Sequence, residues 1–332
     1  MKKRSKIPSG NSLPPVTRGS GPPALPHIPI ATHSFRQLYL FAFATQHEVV
    51  HFLRTQALEQ ERERQAEIMR AWELLQPRVA ALINGEANVA NTAELRAIPE
   101  EHRPRLEAIA SDPLFRKSFS SLPTGFGIVG VDRLVAAQRT VNLDYVDKLK
   151  RSLPEKPTLG DLIEFCISPA RAMDPIQHLE VAQNVHVFSS PNSDIRFLGA
   201  FVKNLTPQDL DFAVMGGLPA AAVISFVGYG AAPINVIQAG PRVVLNNGFH
   251  RVYALRSIGI TEIPVVVQQV RNVALEFPAA VAGLPKEYLL GVPRPVPMKD
   301  FFEPDFAITL RVQERIKMVT VGISLNQHEV PA

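Results

Sequence analysis

The stretch that most constrains the fold is residues 245–270, with the sequence LNNGFHRVYALRSIGITEIPVVVQQV. Just before its turn, residues 243–245 form a short apolar run of the kind that builds a buried strand. The Asn-Asn-Gly residues that follow turn the backbone and tolerate positive φ. Apolar residues then recur at helical spacing up to Gly259, which stands where a left-handed helix terminator belongs, and residues 263–270 form a second strand. This order of strand, helix and strand predicts a partly parallel α/β layer.

The start of the predicted helix is a candidate phosphate site. Backbone N–H groups at a helix start have no intrahelical acceptor, and the helix macrodipole favours negative charge there. Arg251 can form a bidentate pair with phosphate oxygens, while His250 can donate a hydrogen bond or relay a proton. Taken alone, a His or Arg at this position is more often a cap or a surface group. The candidate residues are Asn247, Gly248, Phe249, His250 and Arg251.

The same residues resemble a known family. A G-x-H-R pattern, a short helix ending in Gly, and then Ile-Pro with a run of valines are similar to the ParB/sulfiredoxin superfamily. Residues 228–251, GYGAAPINVIQAGPRVVLNNGFHR, fit the connector and strand that lead into that family's phosphate turn. Residues 131–153 are similar to its opening strand, Gln-Arg segment and first helix. In that comparison, Gln138 and Arg139 occupy positions near a bound nucleotide, although a solvated loop is the simpler interpretation of these two residues.

The resemblance implies a mixed sheet with helices that binds a nucleoside triphosphate, ATP or CTP, together with magnesium. NTP hydrolysis or phosphoryl transfer, with His250 as the candidate catalytic residue, is the chemistry expected from it. Members of the superfamily range from CTP-gated DNA clamps to kinases and a reductase. Sulfiredoxins carry Cys where this chain has Phe249, so reductase chemistry is not expected. Residues 271–332 show no helix-turn-helix pattern, which argues against a partition role.

A second motif, His47-Glu48-Val49-Val50-His51, has the H-E-x-x-H spacing of zinc peptidases. On a helix this spacing places two imidazoles on one face for zinc and a carboxylate beside them as general base. A third ligand is needed, but the downstream carboxylates continue the same helical pattern. At a rise of ~1.5 Å per residue, Glu67 would lie roughly 24 Å along the axis from His51. We therefore expect the pair to be helix packing residues, with a zinc peptidase as the alternative.

The N-terminal half is expected to be helical before the α/β module begins. From Ser34, a candidate N-cap, to about Ile83 the pattern predicts one long helix or two helices that meet near Pro77. A charged stretch within it offers a surface for a homodimer. The predicted regions are a Pro-rich basic tail at 1–30, a helical region at 31–122, a ParB/sulfiredoxin-like domain at 123–275 with an insertion at about 160–220, and a Pro-rich extension at 276–332.

Composition narrows the remaining classes. The chain has 332 residues, is 46% hydrophobic and carries a net charge of +4, so it is long and apolar enough for a sizeable core. Its single Cys excludes a disulfide framework and a Cys-rich zinc module, which is typical of a cytoplasmic, here bacterial-type, protein. The sequence predicts no membrane helix. A non-catalytic module that contacts DNA through its basic start, or another protein, is the alternative function.

Overall fold

The chain is a mixed α/β protein, in which helices pack on several sheets. The computed structural model describes residues 33–168, 174–192, 194–206, 209 and 219–330. The tail predicted at 1–30 lies outside this range. The described strands are β1 (Ser34–Tyr39), β2 (Leu95–Arg96), β3 (Thr124–Gly130), β4 (Val135–Ala136), β5 (Thr140–Asn142), β6 (Gln177–Ala182), β7 (Val185–Ser190), β8 (Ile195–Asn204), β9 (Ala221–Tyr229), β10 (Asn235–Ala239), β11 (Arg242–Asn247), β12 (Glu262–Val270), β13 (Ala280–Val281), β14 (Leu284–Pro285), β15 (Ile308–Gln313) and β16 (Lys317–Gly322). The described α-helices are α1 (Gln46–Thr55), α2 (Arg62–Gly85), α3 (Arg103–Ser111), α4 (Pro113–Ser118), α5 (Leu143–Arg151), α6 (Leu159–Ile167), α7 (Phe249–Ser257) and α8 (Val273–Glu276).

The central sheet has the strand order β2-β3-β12-β10-β11-β4. Strands β10 and β12 are parallel, as are β11 and β4, whereas β10 with β11 and β3 with β12 are antiparallel. The predicted partly parallel layer is therefore confirmed as a mixed sheet. Strand β12 lies inside it because its run of valines is apolar on both faces, which suits a strand covered on both sides.

The segment β11–α7–β12 follows the sequence prediction closely. Gly248 has φ +91° and Gly259 has φ +90°, so both glycines adopt the left-handed backbone expected of them. Between them α7 buries Val252 and Leu255 against the core. Helix α6 packs on β12 and contributes fully buried residues. It therefore belongs to the core, and the insertion predicted at about 160–220 starts after Ile167.

The prediction of a helix starting at Ser34 is wrong. Residues 34–39 form β1, which pairs with β15 on one side and β5 on the other. The partner β15 starts at Ile308, about 270 residues away along the chain, so local periodicity carried no sign of this pairing. The C-terminal segment thereby packs against the N-terminal region.

The predicted break at Pro77 is also misplaced. Helix α2 runs through Pro77, and the chain breaks instead between α1 and α2. Tertiary contacts hold α2 just before the proline: the Trp72 indole N–H donates to the Ala44 carbonyl at 2.9 Å, and the Gln76 amide donates to the Ala42 carbonyl at 3.2 Å. These contacts offset the backbone hydrogen bond that the proline removes. No helix in the described ranges is long and apolar enough to cross a membrane.

A buried ion pair fixes the C-terminal segment to the end of α2. The side chains of Arg294 and Asp300 are both 0% exposed and meet through two hydrogen bonds of 2.8 Å. Arg294 also donates to the Glu86 carboxylate at 2.8 Å, and Lys299 reaches the same carboxylate at 2.7 Å. Every charge in this network has a partner, which a buried pair needs because desolvation is costly.

We expect Arg294→Met to destabilise the protein by about 3–5 kcal/mol, because it leaves the buried Asp300 carboxylate without its cation. Urea unfolding measures this loss. The control Arg103→Ala removes an arginine whose two carboxylate partners are exposed, and it should leave the midpoint unchanged. A double substitution, Arg294→Met with Asp300→Leu, should recover much of the loss. Equal effects of Arg294→Met and Arg103→Ala would contradict the assignment.

Candidate functional site

The two sequence segments predicted to bind phosphate meet at one edge of the central sheet. Strands β4 and β11 are parallel neighbours, with Val135 opposite Val244 and Ala136 opposite Leu245. Parallel strands end at the same edge, so the residues that follow β4 and those that follow β11 emerge side by side. Ligands of α/β proteins commonly bind outside such carboxyl ends. The sequence alone gave no register for this pairing.

Gly248 is required at the turn by both backbone and packing. Its left-handed conformation disfavours any residue with a Cβ, and an added Cβ would lie 2.6 Å from Cγ1 of Ile234. Ile234 belongs to the connector that enters β10 and is fully buried. The glycine therefore lets this connector pass directly against the start of α7.

Asn247 holds the same connector from the other side of the turn. Its side-chain amide donates to the Pro233 carbonyl at 3.3 Å and also to the Ala231 carbonyl. The predicted phosphate ligand is thus occupied with backbone groups of its own chain.

The guanidinium of Arg251 binds backbone carbonyls. It donates to the Phe165 carbonyl at 3.0 Å, to the Cys166 carbonyl at 3.4 Å and to the Ala232 carbonyl. Phe165 and Cys166 lie in the last turn of α6, where carbonyls lack intrahelical donors and the macrodipole favours a cation. Arg251 therefore caps α6 and joins it to the connector. The sequence did not predict this role, because the guanidinium N–H groups can donate equally well to a backbone carbonyl or to a phosphate oxygen.

His250 links α7 to the start of α5. Its Nε2 accepts a hydrogen bond of 3.1 Å from the backbone N–H of Asn142, the N-cap residue of α5, and its ring packs edge-on against Tyr145 at 5.5 Å. The adjacent Phe249 is 5% exposed and packs against Phe301 at 5.2 Å. Phe249 is therefore a core residue of the protein.

Gln138 and Arg139 differ in their surroundings. Gln138 is exposed, whereas the Arg139 side chain is only 18% exposed and donates from Nη1 to the Glu48 carboxylate at 2.8 Å. The Arg139 Nε is buried and has no hydrogen-bond partner among the described residues. A buried donor without an acceptor is costly, so an incoming oxygen at this position would be stabilised.

Glu48 has a structural role in the H-E-x-x-H motif. It forms a capping box with Thr45, accepting from the Thr45 backbone N–H at 2.7 Å, and it pairs with Arg139. Partial burial alone would raise the pKa of Glu48, but the hydrogen bonds from Thr45 and the Arg139 charge lower it below its usual range. The His47 and His51 rings are exposed and stack 6.2 Å apart, so the prediction that they are packing residues is wrong. Within the described ranges, no three His, Cys, Asp or Glu side chains converge as a metal site.

The structure brings Cys166, distant in sequence, next to the turn. The thiol is fully buried in α6 beneath Arg251. Burial raises the pKa of Cys166 to about 12, although the Arg251 charge opposes this effect. The thiolate required of a nucleophile is therefore scarce at neutral pH.

A buried amide cluster at this sheet was missed from sequence. The Asn235 amide donates to the Gln268 side-chain carbonyl at 2.8 Å, and the Asn246 amide reaches Asn235 at 3.4 Å. The available signal was polar residues inside the apolar runs of β10 and β12. The cluster ties the ends of neighbouring strands together near the turn.

Comparison of the chain with protein-family models gives no match, and neither curated proteins nor solved structures are significantly similar to it. The resemblance to the ParB/sulfiredoxin superfamily therefore rests on the motifs themselves. Function has to be inferred from the contacts described above.

Two glycine substitutions separate backbone strain from packing at the turn. Gly259→Ala should cost about 1–2 kcal/mol, because only its left-handed backbone is disfavoured and nothing lies within 4 Å of the new Cβ. Gly248→Ala carries the same strain plus the clash with Ile234, which adds about 1–3 kcal/mol. Urea unfolding of both variants measures the difference. Equal costs would show that the connector does not press on the turn.

Proposed function

We propose that the chain binds the phosphates of a nucleoside triphosphate, ATP or CTP, at the edge of the central sheet where β4 and β11 end. The observation that supports the proposal is the parallel pairing of these strands, which directs the segment after Ala136 and the segment after Asn247 to the same edge of the sheet. The resemblance to the ParB/sulfiredoxin superfamily, including its fold, favours the same ligand at the same two segments.

The contacts divide the predicted residues into two groups. Asn247, Gly248 and Arg251 position the turn, because their side chain or backbone holds the connector and the end of α6. The phosphate contacts then fall to backbone N–H groups of the first turn of α7 and to Gln138 and Arg139. Arg139 is the principal side chain in this scheme, since its buried Nε gains an acceptor when a phosphate oxygen arrives.

Magnesium enters this scheme with the nucleotide. It prefers phosphate oxygens and retained waters, with one or two carboxylates from the protein. Glu48 is the carboxylate joined to Arg139, and Thr45 and Arg139 both donate to its Oε2. In the part of the chain that the structure describes, no three His, Cys, Asp or Glu side chains converge, so the residues present do not form a dedicated magnesium site. The resemblance also implies NTP hydrolysis or phosphoryl transfer, and the proposal includes this chemistry with His250 as the candidate catalytic residue. A cytoplasmic location is part of the same proposal.

The proposal is tested by calorimetric titration of Mg·ATP and Mg·CTP into the wild type and two variants. Arg139→Gln should weaken binding about tenfold or more, because a hydrogen bond to a charged group is lost, and Gln138→Ala should weaken it less. The control is Arg96→Gln. This substitution removes the same charge from β2, the outermost strand on the side of the sheet opposite β4, and the variant should bind like wild type.

Two results would overturn the nucleotide site. If folded wild-type protein binds neither ATP nor CTP, the proposed ligand is wrong. If binding is unaffected by Arg139→Gln, the proposed location of the site is wrong. Arg251→Ala is not a clean test, because it leaves the carbonyls of α6 without their donor and lowers stability.

A second candidate function, a protein-interaction module, is favoured by the two-stranded ribbon of β8 and β9. Large apolar side chains are exposed to solvent on both of its faces. An isolated pair of strands is marginally stable in water, and proteins rarely expose more than a few hundred Å² of contiguous apolar surface. These side chains, with exposed fractions from 47% to 69%, are Phe197, Leu198, Phe201, Val202, Val223 and Phe226.

The partner that best fits the ribbon is a second copy of this chain, joined through β9. Strand β9, AAVISFVGY, carries no charge and no proline, the residues that normally protect an edge strand. Among the described residues it pairs only with β8, which carries Arg196 and Lys203. Antiparallel pairing of two β9 strands is two-fold symmetric and therefore closed.

Sedimentation equilibrium of two lysine variants tests this dimer. Val223→Lys places a charge on the exposed β9 strand and should shift the protein to monomer. Leu74→Lys is the matched control on α2, where Leu74 is 81% exposed, and it tests the homodimer predicted through the N-terminal helix. A wild type that is monomeric at all concentrations, or a dimer lost only with Leu74→Lys, would contradict pairing through β9. Contact with DNA through residues 1–30 lies outside the described residues.

A further inference from the structure

Strands β6 and β7 bring two histidines together on one face of their sheet. The Nε2 atom of His178 lies 3.1 Å from Nδ1 of His186, and the ring centroids are 5.3 Å apart. Neither imidazole is buried, so an ion in solution can reach them. The two residues are diagonal neighbours across an antiparallel pair, because His178 faces Phe188 and His186 faces Glu180.

The separation of these nitrogen atoms suits two ligands of one metal ion. A tetrahedral ion with metal-to-nitrogen distances of 2.0–2.1 Å places two ligand nitrogens about 3.4 Å apart. The pair lies within a few tenths of an ångström of that spacing, and a small movement of the partly exposed His186 ring supplies the difference. Neutral imidazole is a ligand preferred by zinc, copper and nickel.

The neighbours of the pair support a site of this kind. Phe188 stacks on the His178 ring at 4.8 Å and limits its rotation, so part of the ordering cost is met before an ion binds. Glu180 lies directly opposite His186 and is exposed. Its carboxylate does not converge with the two rings, so it contributes negative charge beside the pair and is not a third ligand.

We propose that His178 and His186 bind a divalent transition-metal ion of the zinc or copper class, with water completing the coordination shell. The ion would connect β6 to β7 across the strands. A ligand that binds only the folded state raises stability, so the site acts as a metal-dependent clamp on the sheet formed by β6, β7 and β16. This site is separate from the H-E-x-x-H motif and from the proposed nucleotide site.

The test is a calorimetric titration of Zn²⁺ alone into the full-length protein without an affinity tag. His178→Ala and His186→Ala should each weaken binding at this site at least tenfold, and Glu180→Gln should weaken it less. His47→Ala and His51→Ala are the matched controls, because they remove members of the other histidine pair. Zn²⁺ should raise the thermal unfolding midpoint of the wild type and of these controls, but not that of His178→Ala.

A second measurement identifies the ligands directly. Nitrogen hyperfine splitting in the electron paramagnetic resonance spectrum of bound Cu²⁺ should show two imidazoles, and one after His186→Ala. The proposal is overturned if folded wild-type protein binds no Zn²⁺ saturably, or if binding is lost only in the His47→Ala and His51→Ala variants. A stoichiometry of two that falls to one in His178→Ala supports it.

Discussion

The guanidinium of Arg251 is the contact on which the arrangement around the turn depends. It joins the end of α6, the connector into β10 and the start of α7, three segments that are separate in sequence. The arginine satisfies carbonyls that the helix end leaves without donors, and its charge opposes the negative end of the macrodipole. Without it, α6 and the connector would lose the anchor that joins both of them to the start of α7.

Other buried arginines of the chain have similar internal roles. Arg242 donates to the carbonyls of Leu289 and Val292 and to the Asn91 side chain, and Arg294 pairs with Asp300. These guanidiniums hold the C-terminal segment against the sheet and the end of α2. A net charge of +4 therefore overstates the positive charge that is available to ligands. At the sheet edge, Arg139 is the arginine whose donors are incompletely used.

The parts of the fold that were predictable share a local cause. The β11–α7–β12 segment was placed correctly because strand, glycine turn and helix each leave a pattern within about ten residues. The strand at Ser34 was missed because its partner is near the other end of the chain, and the break at Pro77 was misplaced because tertiary contacts hold α2 through it. The contacts of the candidate residues with backbone carbonyls, such as those of Arg251 and Asn247, left no local pattern, because their acceptors lie elsewhere in the chain.

The sequence by itself determined the glycine turn, the helix that follows it and the apolar strands of the central sheet, since these depend on backbone preferences and short-range periodicity. Tertiary structure decided what each polar side chain contacts. Arg251 and Asn247 carry donors that suit a phosphate or a carbonyl equally, and packing supplied the carbonyls. The pairing of β4 with β11 and the meeting of His178 with His186 likewise depend on strand register, which is a property of the assembled sheet and not of either strand alone.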